Sequence, residues 1–341
     1  MFTILAIFVF LFISTLTAQR LLFPHLPMTE VAKFPLVTVA AQFLAYLLLF
    51  AFMVVIAKRS GTRSFWAAIR WNWPIGWPVY LLIGLVLAIS LQGLAHVLPM
   101  PKELPIDRFF QTTLEAWVLS IFGVTLAPFF EELFFRGFLY PALARWLATV
   151  FGTPRLARRA AVSLAAVGAW GYLIHGVSKE GRGIVVGAAC LVALLMLILR
   201  FVAGFISDGL VQVGVIFCLW TFLATRMPGR QFGIASILLL LATGVLARAS
   251  FSPVGSRNDA GVSAAIVLTA ASFGLIHAPQ LAQAWAPVLV VFLVGLVLTI
   301  TRAVTKSVAS SLLIHMAYNG TISVLLFLAS DGFQHLDKLN Q

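Results

Sequence analysis

The stretch TLAPFFEELFFRGFLY, residues 125–140, sets two adjacent glutamates, Glu131 and Glu132, and one arginine, Arg136, in a run that is otherwise almost wholly apolar. An ionised side chain at membrane depth costs about 3 kcal/mol or more unless it is paired or hydrated, so such a cluster marks a functional place by default. The surrounding composition says that the solvent is a bilayer. Hydrophobic residues make up 61% and charged residues 10% of the chain, and the mean hydropathy is +1.03. A soluble globular domain is nearer half apolar and a quarter charged.

Charge-free runs recur along the whole sequence, and each holds at least one helix of about 20 residues, the length a bilayer core requires. They predict an all-α, polytopic transmembrane helix bundle of about eleven spans, near 1–18, 35–57, 76–98, 114–138, 160–177, 183–206, 209–225, 231–248, 260–278, 284–301 and 307–329. The first run has no Lys or Arg before its apolar core and no A-x-A site after it, so it reads as an uncleaved span.

The net charge of +12 does not point to nucleic acid, because the basic residues fall in short loop clusters and form no continuous stripe. Lys58, Arg59, Arg63 and Arg70, then Arg155, Arg158 and Arg159, then Arg248 and Arg257, then Arg302 and Lys306 follow alternate spans on one side. By the positive-inside rule that side is cytoplasmic, which predicts a multi-pass protein of the cell (inner) membrane with its N-terminus inside; Arg226 and Arg230 run against this. Cys190 and Cys218 lie in apolar spans without metal or disulfide spacing and read as packing residues.

With the loop charges set aside, three polar constellations remain on apolar helices: Glu131-Glu132-x-x-x-Arg136, Phe273-x-x-x-His277 and His315-x-x-x-Asn319. Residues four apart share a helix face, so His315 and Asn319 address one point. Glu132 and Arg136 stand in the favoured acid-then-base order at i, i+4. A carboxylate held by arginine is a poor proton acceptor, which leaves Glu131 as the free carboxylate suited to take a proton from water. The reverse pairing stays open. His277 suits orientation of that water, and His315 with the Asn319 amide suits donation to a developing oxyanion. Glu131, His277 and His315 equally have the ligand chemistry of a divalent metal such as zinc. Spacing does not choose between the two. Glu132 and Arg136 read as supporting residues, and Phe273 as a packing residue or a substrate contact.

The motifs EELFFRG (131–137), SFGLIHAP (272–279) and LLIHMAYNG (312–320) resemble the three signature motifs of the CPBP (CAAX protease and bacteriocin-processing, Abi) family. The resemblance covers roughly 115–150 and 261–330. It implies an intramembrane endopeptidase in which Glu131 and His277 activate water while His315 and Asn319 form the oxyanion site. It also implies a peptide or membrane-protein substrate, prenylated or a bacteriocin precursor, and leaves the catalysis metal-dependent or metal-free.

This chain departs from the family in the spacing of the first two motifs, which are separated by about a hundred additional residues. The reading is therefore an N-terminal three-span region (1–113), a first core part (114–150), an inserted four-span region (151–259), a second core part (260–330) and a polar tail (331–341). Four inserted spans are an even number and leave the core topology intact. His175, in WGYLIHG, is the rival to His277, but Gly171 stands where the motif expects Phe. A transporter or channel built on the same Glu/His cluster, and a catalytically silent immunity or scaffold protein, are the alternatives from other classes.

Overall fold

The computed structural model of the protein describes residues 14, 17, 21, 25, 34–59, 61, 64–110, 112–203 and 208–336. Among these residues the chain is all-helical. The principal helices are α1 (Pro35–Arg59), α2 (Trp77–Val97), α3 (Thr113–Gly152), α4 (Pro154–His175), α5 (Lys179–Ala203), α6 (Asp208–Arg226), α7 (Gly229–Phe251), α8 (Val254–His277), α9 (Trp285–Thr305) and α10 (Val308–Ala329).

Local sequence chemistry sets several of these ends. Thr112 and Glu115 form a reciprocal capping box at the start of α3: Thr112 Oγ1 accepts from Glu115 N at 3.2 Å, and Glu115 Oε2 accepts from Thr112 N at 3.1 Å. Pro154 opens α4 where its missing N–H costs nothing. Ser307 caps α10, its Oγ accepting from Ser310 N at 3.3 Å. Lys58 and Arg59 close α1 in the last turn, where the helix dipole favours cations.

Of the expected spans, the first (1–18) lies outside the described residues apart from residues 14 and 17, and the described part of each later one falls on a helix. Seven described helices are long and apolar enough to cross a membrane: α1, α2, α3, α7, α8 as Gly255–Leu281, α9 and α10. The protein is accordingly a multi-pass integral membrane protein. Within α6 the stretch Val213–Arg226 is also apolar. α4 carries Arg155, Arg158 and Arg159 in its opening turns, which dilutes its hydropathy.

The chain divides into two compact units, one of Trp146–Val262 and one of Phe2–Arg145 with Ser263–Gln341. The sequence reading set apart 151–259; the structural division falls a few residues outside it on each side, within α3 and α8. In the first unit α4 packs on α6 and α7, and α5 on α6. The indoles are satisfied internally, Trp170 Nε1 donating to Thr221 Oγ1 at 3.1 Å and Trp220 Nε1 to the Val167 carbonyl at 2.9 Å. His175 stacks flat on Phe232, centroids 4.0 Å apart, and bonds the Ala224 carbonyl through Nδ1 at 2.9 Å. It is a packing histidine.

In the second unit α10 lies against α2 and α9, around a core that includes Met53, Leu133, Phe135, Phe273, Leu298 and Ile314. Gly84 makes the α2–α10 approach close. A Cβ placed there would overlap the Ile314 carbonyl oxygen and come within 2.6 Å of Ala317 Cβ. Small residues at such contacts let membrane helices pack backbone to backbone, and here the contact fixes the turn of α10 that carries His315.

Two arginines that the sequence presents as loop charges have other duties. Arg302 is buried inside α9 and donates to the carbonyls of Arg136 at 3.1 Å and Ile69 at 3.3 Å. Arg257 is buried in α8 and donates to the Ala249 carbonyl at 3.1 Å. Both satisfy main-chain acceptors inside the protein, so they contribute less to the topology signal than their sequence positions suggest.

Gly84→Leu should lower the thermal unfolding midpoint in detergent, since overpacking of this kind costs about 1–3 kcal/mol. Gly93→Leu, on the same helix but facing open space, should leave it unchanged.

Candidate active site

Two prolines shape the helix that carries the glutamates. α3 is α-helical over Ala127–Glu132 but π-helical on either side, over Phe122–Leu126 and Leu133–Leu139. At the first π segment Ala127 N donates to Phe122 O, five residues back. The next such bond would join Gly123 O to residue 128, which is proline and has no N–H. At the second, Tyr140 N donates to Phe135 O, and the next donor in line for Arg136 O would be Pro141. Each π segment thus strands one carbonyl. A buried orphan of this kind costs about 1–3 kcal/mol, and a side chain from the C-terminal helices takes up each one. Asn319 Nδ2 donates to Gly123 O at 2.7 Å, and Arg302 Nε to Arg136 O at 3.1 Å. The Glu131–Glu132 segment is clamped between these two contacts, and π segments of this kind recur at functional sites.

Glu132 is fully buried, and its Oε1 accepts from Arg136 Nη1 at 2.8 Å. The same oxygen faces His315 Nδ1 at 2.9 Å. Arg136 Nη2 also donates to the Gly295 carbonyl at 3.1 Å, and its guanidinium lies over the Phe273 ring, 4.5 Å from the centroid. Gly295 permits this approach, because a Cβ there would sit 3.1 Å from Phe273 Cδ1. Phe273 touches His277 and meets His315 edge-on at 5.7 Å, so it packs the site residues against one another.

Glu131 is the carboxylate outside the arginine pair. His277 Nε2 lies 3.9 Å from its Oε1, and His315 Nε2 lies 3.9 Å from its Oε2. These gaps are too long for direct hydrogen bonds and short enough for one water to bond both groups. The opposite ring nitrogens define the tautomers. His277 Nδ1 is 2.7 Å from the Phe273 carbonyl and His315 Nδ1 is 2.9 Å from a carboxylate oxygen, both acceptors only, so each Nδ1 carries hydrogen. Both Nε2 atoms therefore point at Glu131. His277 reaches this position as the last residue of a continuous α8, ahead of the turn Ala278–Leu281, with no broken or re-entrant span.

A cavity of about 520 Å³ opens onto Glu131, Phe273, His277, His315 and Asn319, and most of its remaining lining is apolar, including Leu91, Val290 and Ile322. Two residues outside the sequence motifs also belong here. Tyr46 donates to Glu131 Oε1 at 2.7 Å and accepts from Gln42 Nε2 at 2.8 Å. Gln42-x-x-x-Tyr46 is itself a polar i, i+4 pair inside an apolar span, which is the sequence signal that could have found it.

As placed, Glu131, His277 and His315 are spaced more widely than the donors of a bound zinc. Donors on a tetrahedral zinc, with bonds of about 2.0–2.1 Å, lie roughly 3.3 Å apart, against the 3.9 Å on both sides of Glu131. Among the described residues no group of three or more His, Cys, Asp or Glu is arranged to hold an ion.

Asn319→Ala should cost about 1–3 kcal/mol by stranding Gly123 O, measured by reversible unfolding in mixed micelles. In a Pro128→Ala background, where residue 128 regains its N–H, the same substitution should cost clearly less.

No curated protein and no solved structure matches this chain. A family model does, over residues 240–321, and its description is type II CAAX prenyl endopeptidase, Rce1-like. The matched segment contains His277, His315 and Asn319; Glu131, Glu132 and Arg136 lie before it and are brought to it by the fold. Over residues 240–321 the chain is therefore similar to the Rce1-like type II CAAX prenyl endopeptidases, consistent with the CPBP family that its three motifs resemble.

Proposed function

We propose that this protein is an intramembrane endopeptidase that hydrolyses a peptide bond with a water activated by Glu131 and His277. The observation that carries this reading is the carboxylate of Glu131, free of arginine and faced from both sides by imidazole Nε2 atoms at 3.9 Å. A water in the cavity donates one O–H to Glu131 and the other to the unprotonated Nε2 of His277. Its remaining lone pairs are then directed at a substrate carbonyl.

As the water oxygen bonds to the carbonyl carbon, its proton passes to Glu131 and negative charge builds on the carbonyl oxygen. Asn319 has a second amide hydrogen beyond the one given to Gly123. His315 can donate at Nε2 only when that nitrogen is also protonated, its other hydrogen being held by Glu132. The resulting imidazolium balances Glu131 as Arg136 balances Glu132, which leaves the buried cluster without net charge. The proton on Glu131 then moves to the departing amide nitrogen as the C–N bond breaks, giving a carboxylic acid and an amine. No step here uses a metal. The apolar cavity suits an apolar peptide segment, and a prenylated C-terminal peptide is the substrate class named by the matching family.

The test is a comparison of membrane peptides from cells expressing wild type and Glu131→Gln. Cleavage products present only with wild type are expected, and a Glu131→Gln protein that cuts normally removes the general-base assignment. On one such product's parent peptide, His277→Gln should lose about 10²–10⁴ in kcat. Asn319→Ala in the Pro128→Ala background should lose about 10²–10³. Activity should survive exhaustive chelation.

A further inference from the structure

Tyr46 lies on α1, outside the three motifs and outside the segment that matches the family model. Its ring is stacked nearly parallel to Phe130, with centroids 5.3 Å apart at 22°, and to Phe122, 6.2 Å apart at 12°. Gln42 donates to the phenol oxygen, so the phenol hydrogen is directed at Glu131 Oε1. Gln42 and Glu131 line the cavity. Tyr46 is not part of that lining and reaches the carboxylate from behind.

From this arrangement we infer that Tyr46 is a positioning residue for water activation, holding the Glu131 carboxylate so that Oε1 faces His277 and Oε2 faces His315. The inference rests on the proposed function and deepens it. A carboxylate on a glutamate side chain turns freely about its last bond, because that terminal torsion is broad. The two imidazoles at 3.9 Å do not fix it by direct bonds. The 2.7 Å bond from Tyr46 does, and the aromatic stack keeps the phenol in place. A misaligned general base loses rate even when every catalytic group is present.

Packing alone would give Tyr46 a use without this role, and Tyr46→Phe separates the two because it keeps the stack and removes only the hydroxyl. The full-length protein is assayed in proteoliposomes on a quenched peptide drawn from the cleavage products that distinguish wild type from Glu131→Gln. Tyr46→Phe should lower kcat by about ten- to a hundred-fold, the effect of losing one hydrogen bond to a charged group. KM and the thermal unfolding midpoint should be unchanged. Added to Glu131→Gln, the same substitution should cause no further loss. Wild-type kcat in Tyr46→Phe overturns the inference, as does a fall in kcat that only follows a lowered unfolding midpoint. If Glu131→Gln is inactive and Tyr46→Phe is normal, this inference alone falls; if Glu131→Gln cuts normally, the proposed function falls with it.

Discussion

One oxygen atom ties the site together. Glu132 Oε1 accepts from Arg136 on its own helix and from His315 on α10, at 2.8 and 2.9 Å. A fully buried carboxylate needs compensation, and removing either member of such a pair exposes the full desolvation penalty of the other. The contact therefore does more than neutralise charge. It fixes the face that α3 turns toward α10, sets the tautomer of His315, and by committing Glu132 leaves its neighbour Glu131 for other work. Consecutive helical residues point about 100° apart, so only one of the pair can serve each purpose.

The prolines complete that arrangement. Pro128 and Pro141 each deprive a π segment of the donor it needs, and the stranded carbonyls of Gly123 and Arg136 draw Asn319 and Arg302 from the two helices that follow α8. Breaks in a helix are tolerated in a bilayer where other polar groups re-satisfy the backbone. Here the repair has a second effect, because Asn319 is held at the cavity wall by the same bond. Arg302 extends the tie to Ile69, and α10 adds a bond from Val308 N to the Arg70 carbonyl at 3.2 Å. Motifs nearly two hundred residues apart in the chain are thereby held in one cluster.

Much of this was legible in the sequence because bilayer chemistry makes polar residues conspicuous. Glu131, Glu132, Arg136, His277, His315 and Asn319 stood out against apolar helices, and the i, i+4 rule correctly marked Glu132 as the partner of Arg136. What could not be read is pairing across long separations. Nothing local says that His315 meets Glu132, or that Arg302, placed like a loop charge, is a buried strut. Tyr46 is inconspicuous because tyrosine in an apolar span normally needs no explanation, although Gln42 one turn earlier is a hint. The prolines were visible, but proline alone does not reveal which carbonyl it strands. The choice between His175 and His277 needed the fold, which engages the first with Phe232 and Ala224 and turns the second toward Glu131.

In the proposed reaction Glu131 acts on water and does not itself attack the substrate. Turnover in ¹⁸O-labelled water, followed by mass spectrometry of both the new product carboxylate and the enzyme peptide containing Glu131, tests this most directly. Direct water attack predicts label in the product and none in Glu131. Label in the Glu131 carboxylate would show a covalent acyl intermediate on that residue and would rule out direct attack by water.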